Sequence, residues 1–594
     1  MKWRSIFMAF FVVLVFVFLL INLFDLQIVN GEENLIKAKN ISQSVEIVRA
    51  SRGIIYDANK NILAKNIPTY TVYIKPEEFD TSGWEVSLSK LSKILGVDTM
   101  ELEKTYRSKL EEGEYEGGKI TISNDITDAQ YLDILVNQEM LQGVYAQVDT
   151  RRSYPYTENF AHILGYVSDI NEAEVNETGL DPNANIGKEG LEKIYDTQLR
   201  GRDGHKLQTL NILKREKEEY LSETPVKGNN LVLTLDVDWQ MKLHALLKAR
   251  TEEAEAFGGA AIIMESDTGS IKAMVSYPSY DNNLFAKGIS STDFSKLNTD
   301  LSTPLVNRAI ALQLPTGSTF KPMVAAAALQ EAVITSNTVF DSGCVELPLY
   351  KLCEADNRYL GKMTVIEGIG KSSNVFFCRT GLAMTEKAEG IRTLKKYTDQ
   401  FGIGFKTGID LPGEQAGTMA SPELKQSRLG EPWYLADICN TVIGQGLVTS
   451  TPIQMVTVAS AISNNGKIYQ PALVDRVENQ SGEVVEKIQR KVVRNVEVDP
   501  SHFATIREGM KYAVNGEMGS AWLLKGMSGN PIAKTGSADA IEYRDGKKVE
   551  GAHSWAIGGF EYQGVNYSFV VHLQEGGRGY QSIPIIRDFL SWLY

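Results

Sequence analysis

The chain has 594 residues, a formal net charge of −13, 43% hydrophobic residues and 23% charged residues. This ordinary globular composition excludes a low-complexity or disordered chain, and the acidic balance argues against a nucleic-acid binder. The length calls for more than one domain.

In chain order, Lys2 and Arg4 precede an unbroken apolar run from Ile6 to Ile21, extended by Leu23 and Phe24. About 20 apolar residues span a bilayer. A secretory signal has a shorter apolar core and a small-residue cleavage site, and none precedes Asn30-Gly31-Glu32-Glu33. The run reads as an uncleaved anchor over residues 1–28. Basic residues before it predict a cytoplasmic N-terminus, with the bulk of the chain outside.

A middle region over residues 29–228 follows. Glu77 to Tyr131 is charged and helix-prone, a lobe that could meet a partner. Arg52, Arg151 and Glu192 read as members of structural ion pairs. Glu218 to Gly228 reads as a link. Asn230-Leu231-Val232-Leu233-Thr234-Leu235-Asp236 reads as a strand leading into a helix, which opens a second domain over residues 229–594.

Gly259 to Met264, a tight turn at Asp267-Thr268-Gly269, and Ser270 to Ser276 predict a strand pair. Pro315-Thr316-Gly317 is turn chemistry. Ser318-Thr319-Phe320-Lys321 comes next, then Pro322 and the helix-forming run Met323 to Leu329. Proline is tolerated only in a helix's first turn, so Ser318 stands at or just before the helix N-terminus. Ser372-Ser373-Asn374 and Lys534-Thr535-Gly536 follow in that order. Ile532 to Ser537, His553 to Phe560 and Tyr567 to Leu573 read as a strand meander, closed by a helix over Ile583 to Trp592.

The three short motifs share one chemistry. A serine hydroxyl needs an adjacent base, and residues three apart share a helix face, so Lys321 can serve Ser318. Lys321 must be partly neutral, which burial and a neighbouring cation such as Lys534 would promote. Ser372 could relay a proton. Asn374 offers an amide that can hold both a lysine and a substrate amide. Lys534 and Thr535 suit a substrate carboxylate through charge-assisted hydrogen bonds. Singly each motif could be a helix cap or a strand end; their order and context make that reading of all three poor.

With this trio the chain resembles the class B penicillin-binding proteins, membrane-anchored peptidoglycan D,D-transpeptidases. The resemblance extends to Arg52-Gly53-Ile54-Ile55-Tyr56-Asp57, Arg151 to Pro155, Gly187 to Glu192, Asn307-Arg308-Ala309 and Gly444-Gln445-Gly446. It implies an α+β transpeptidase fold of the serine β-lactamase type, an antiparallel sheet flanked by helices. An elongated N-terminal pedestal and one transmembrane helix would complete it. It also implies a Ser318 acyl-enzyme, with the backbone N–H groups of Ser318 and Ser537 as oxyanion hole and Gly536 in the substrate strand. Stem peptides and β-lactams would be its ligands and a SEDS-type glycosyltransferase its partner, with no cofactor or metal. Ser537 stands where threonine is more common, and Ala556 and Gly559 are smaller than usual, which bears on substrate preference.

Four cysteines, at 344, 353, 378 and 439, are predicted outside the cell, where disulfides can persist. Cys344 and Cys353 flank a hairpin-like Leu347 to Lys351, and similar pairs occur in related sequences, so their pairing leads. A thiolate metal site drawing on Cys378, Cys439, Asp356 or His553 is the alternative, although the spacing is not that of a zinc finger. Cys378 otherwise reads as a buried helix residue. The rival functions are a D,D-carboxypeptidase or β-lactamase with water as acceptor, a β-lactam sensor, and a non-catalytic scaffold for a glycosyltransferase.

Overall fold

The computed structural model describes residues 2–30, 43–79, 83–111, 119–181, 184–211, 216–544 and 547–594. Two compact units emerge: residues up to Gly53 together with Arg200–Asn229, and Ile54–Leu199 together with Asn230–Tyr594.

The first unit holds the apolar helix and a small sheet. The stretch Ile6–Val29 is long and apolar enough to cross a membrane, and none of it is buried against protein. Strands Gln43–Val48, Gly204–Asn211 and Glu216–Glu223 form a three-stranded antiparallel sheet with Gly204–Asn211 in the middle. The segment expected to be a link from Glu218 therefore begins as an edge strand.

The second unit contains a seven-stranded sheet assembled from remote segments. Strand Asn230–Leu233 pairs with Val474–Glu478 on one side and, in parallel, with Ile55–Tyr56 on the other. Ile62–Ile74, Val144–Ser153, Ile120–Ser123 and Val484–Lys487 extend it. The helix-prone stretch from Glu77 to Tyr131 folds as helices Pro76–Phe79, Trp84–Leu95 and Thr99–Glu111 and the start of Asp128–Val136, interrupted by strand Ile120–Ser123. Val72, Ile74, Leu88, Tyr106 and Ile134 form its core.

Arg151 and Glu192 each stand in an ion pair, as expected. Glu192 is fully buried and accepts from Arg152 Nε at 2.7 Å, whereas Arg151 pairs with Asp125. Neighbours on a strand face opposite ways, and Arg152 is the one that faces inward.

The same unit carries the sheet that positions the site. Its strands are β1 (Gly258–Glu265), β2 (Ile271–Tyr277), β3 (Ile532–Arg544), β4 (Lys547–Tyr562) and β5 (Val565–Gln574), in the order β2-β1-β5-β4-β3, all antiparallel. One face packs on the closing helix Ile583–Leu593 and on Val237–Glu253. The other meets helix Pro452–Ser463; helix α1 (Lys321–Gln330) belongs to the same core, and every residue from Lys321 to Leu329 is buried. A helix apolar on all sides belongs in a core, and the four alanines Ala325 to Ala328 let neighbouring elements approach it closely.

Candidate active site

Ser318 lies in a single 3-10 turn, Gly317–Phe320, that leads directly into α1 with Pro322 in its first turn. The turn rests on two close approaches. Gly317 has φ +54°, and a Cβ there would stand 2.3 Å from the Ser537 carbonyl oxygen. Gly536 faces the same turn from β3, where a Cβ would meet the Thr316 carbonyl at 2.5 Å. Glycine fits both places because it has no Cβ. Gly317 N–H also donates to Gly444 O at 2.9 Å, which accounts for the Gly444-Gln445-Gly446 segment. Ser318 is half-buried, and its Oγ makes no hydrogen bond among the described residues.

Lys321 follows one turn later and is fully buried. Its Nζ donates to Asn374 Oδ1 at 2.7 Å and to the Ser372 carbonyl at 2.8 Å, and lies 3.5 Å from Ser372 Oγ. Burial pulls its pKa from the ordinary lysine value to about 7, with the Glu354 carboxylate acting in the opposite direction. A lysine in that range is partly neutral near physiological pH.

Ser372 occupies the left-handed region at φ +60°, an uncommon conformation for a residue other than glycine. Ser373 caps helix α2 (Asn374–Lys387), its Oγ accepting from Phe376 N–H. Ser372 Oγ accepts from Lys534 Nζ at 2.8 Å, so one hydroxyl faces both lysines. Lys534 is buried in β3 and also donates to the Thr535 carbonyl at 2.7 Å. Burial, then the nearby charge of Lys321, holds its pKa well below the ordinary lysine value. Burial is the leading cause for both lysines, and the repulsion between their charges, which acts on the pair, adds to it.

Thr535 is buried and Ser537 is exposed on the same strand. Ser537 Oγ accepts from Gly579 N–H at 2.8 Å. β3 is the edge of its sheet, and an edge strand keeps one row of N–H groups free of the ladder. The structure thus brings Ser318, Lys321, Ser372, Asn374, Lys534, Thr535, Gly536 and Ser537 to one place.

Sequence reasoning missed Glu354. Its carboxylate is buried and accepts from Ser373 Oγ, from Asn374 N–H at 2.7 Å and from Val375 N–H at 3.3 Å. It sits where the positive end of the α2 dipole favours an anion. Glu354 directly follows Cys353, which is joined to Cys344 across the hairpin Val345–Leu347 and Tyr350–Leu352. Cys378 is a buried residue of α2, but it is also joined to Cys439. No free thiol is left, which removes the thiolate metal alternative.

A serine at the mouth of a buried helix, one turn before a lysine of lowered pKa and opposite an edge strand, defines a serine acyl-transfer site. The family model of the penicillin-binding protein transpeptidase domain matches residues 259–591, and that of the penicillin-binding protein dimerisation domain matches residues 47–233. The chain is 32% identical over 518 residues to the peptidoglycan D,D-transpeptidase MrdA of Escherichia coli strain K12, covering 85% of this chain and 78% of that protein. Penicillin-binding protein 3 of Bacillus subtilis is 28% identical over 561 residues, covering 92% of this chain and 77% of that protein. Among solved structures, the PBP2–MreC complex from Helicobacter pylori contains a chain that superposes with a TM-score of 0.80 at 25% identity, covering 93% of this chain and 98% of that one. The chain belongs to the class B penicillin-binding proteins.

Proposed function

We propose that the protein is a serine D,D-transpeptidase that cross-links peptidoglycan stem peptides and is acylated by β-lactams at Ser318. The observation that carries this reading is the single hydroxyl of Ser372 held between Lys321 and Lys534 beside the Ser318 turn. Neutral Lys321 takes the Ser318 proton as Oγ attacks the penultimate D-alanine carbonyl. The oxyanion lies between the N–H groups of Ser318 and Ser537, each such donor being worth about 2.7–4 kcal/mol. Ser372 passes the proton to the departing D-alanine amine. Asn374 steadies Lys321 and the donor peptide amide. Thr535, with Lys534 behind it, receives the terminal carboxylate. An acceptor amine then resolves the acyl-enzyme and restores Ser318.

The reading divides the chain into an anchor at 1–28, a pedestal at 29–228 and a transpeptidase domain at 229–594. The family matches at 47–233 and 259–591 support that division. Lys2 and Arg4 support a cytoplasmic N-terminus with the catalytic domain outside. The MreC complex of the Helicobacter relative supports an MreC-like partner, and the family resemblance supports a SEDS-type glycosyltransferase as the source of strands.

The test is labelling of the full chain in detergent with fluorescent penicillin, beside Ser318→Ala. Labelling confined to the wild type, and D-alanine release from a stem peptide only when an acceptor amine is present, support the proposal. Release into water alone would make the protein a carboxypeptidase.

A further inference from the structure

We infer that Glu354 is a positioning residue of the acylation step, holding the Ser372–Asn374 segment against Lys321. The inference rests on the Ser318 acyl-enzyme reading. The geometry is specific. Both carboxylate oxygens of Glu354 are engaged at the first turn of α2, one by Asn374 N–H and the other by Ser373 Oγ and Val375 N–H. Asn374, whose main chain Glu354 holds, is the residue whose side chain accepts from Lys321 Nζ at 2.7 Å. A shift of α2 therefore moves the acceptor away from the lysine.

Lys321 is faced by a limited set of groups. Lys534 approaches from β3 through Ser372 Oγ, the Phe377 ring of α2 lies 5.7 Å away, and among the described residues Glu354 is the anion whose field reaches it. Two buried lysine amines flank one hydroxyl, and the Glu354 carboxylate favours the charged form of Lys321. Glu354 in turn stands on a short hairpin closed by Cys344–Cys353 and packed with Val345, Val375, Cys378 and Cys439 in one cluster. Tyr350 of that hairpin donates to Asn440 Oδ1 at 2.8 Å. A carboxylate tethered this closely has little freedom to leave α2.

The test uses the full chain in detergent and two readouts. One is the pH dependence of acylation by a chromogenic β-lactam. The other is the pH at which Lys321 becomes acetylated by trace acetic anhydride, read by mass spectrometry, which needs no turnover. Removing a nearby anion lowers a lysine pKa. Glu354→Gln is therefore expected to move the Lys321 limb of both profiles about one pH unit toward acid and to reduce plateau acylation roughly tenfold. Glu354→Asp keeps the charge and loses the reach, so its limb stays in place while its acylation also falls.

Coincidence of the Glu354→Gln and wild-type profiles, in proteins with the same melting transition, would overturn the inference. So would a wild-type acylation rate in Glu354→Asp, whatever becomes of the Gln variant. Failure of the wild type to acylate would refute the transpeptidase reading instead, and the acetylation titration would still decide the role of Glu354.

Discussion

The two walls of the Ser318 site are built by different means. The Lys534 wall is one edge strand, fixed by thirteen residues in antiparallel register with β4 and fitted to the Ser318 turn by glycines. Its precision comes from backbone. The Ser372–Asn374 wall is a helix start in a strained turn, fixed by side chains: a buried carboxylate, a capping serine and two disulfides. A ladder distributes its load over many equivalent bonds, so a single side chain matters little to its placement. A wall hung on a few side chains can be tuned, or broken, one residue at a time.

The largest effect should come from the residue that links both walls to the nucleophile. Lys321→Ala is expected to slow β-lactam acylation at least about a thousandfold, the upper part of the range for loss of a general base, in stopped-flow measurements. Next, Gly536→Val tests the strand wall. Its added carbons meet the Thr316 carbonyl, so acylation should drop roughly a hundredfold, the scale of a misplaced oxyanion donor. Thr535→Ser should leave the wall in place and change mainly substrate affinity.

Acid should attack the strand wall from behind. His572 of β5 is buried between Trp555 and His553, with both ring nitrogens unpartnered. Burial, then the neighbouring His553 ring and the Arg308 guanidinium, holds it neutral well below the usual histidine range. Burial also pulls His162 down to about 4. The unfolded chain takes these protons near pH 6.5 and the folded chain refuses them. Stability is therefore full above about pH 6.5 and falls as pH drops toward 4, by on the order of 3 kcal/mol for His162. Chemical denaturation at pH 7 and pH 5 reads this, and His162→Gln should flatten part of the difference. The smallest effect falls on the hairpin: Tyr350→Phe removes one hydrogen bond to Asn440, costing about 0.5–1.5 kcal/mol, with the acylation rate little changed.

The same contrast explains what could be read from the sequence. Ser318 with Lys321 carries its geometry locally, because one helical turn fixes the spacing, and Ser372 stands only two residues from Asn374 at the start of α2. The meander after Ile532 declared itself by alternation. Glu354 did not. It is a lone acid whose partners lie 19 to 21 residues away, and only a fold that returns the hairpin to the start of α2 gives it meaning. Cys378 and Cys439 are 61 residues apart, beyond any local signal. That Arg152 rather than its neighbour Arg151 meets Glu192 is a matter of strand parity, invisible until one knows which face is buried. That buried pair should be costly to break, about 3–5 kcal/mol for Glu192→Ala.

The seven-stranded sheet also sets a clock. Lys60 reaches Glu478 at 2.5 Å across 418 residues of chain, and strand Asn230–Leu233 waits between Ile55–Tyr56 and Val474–Glu478 for its second neighbour. From Leu233 to Val474 is 241 residues (474 − 233), so at synthesis rates of about 5–20 residues per second roughly 12 to 48 s pass before that second neighbour emerges. Through that interval one edge of the nascent strand stays open, a template that any other unpaired strand can join.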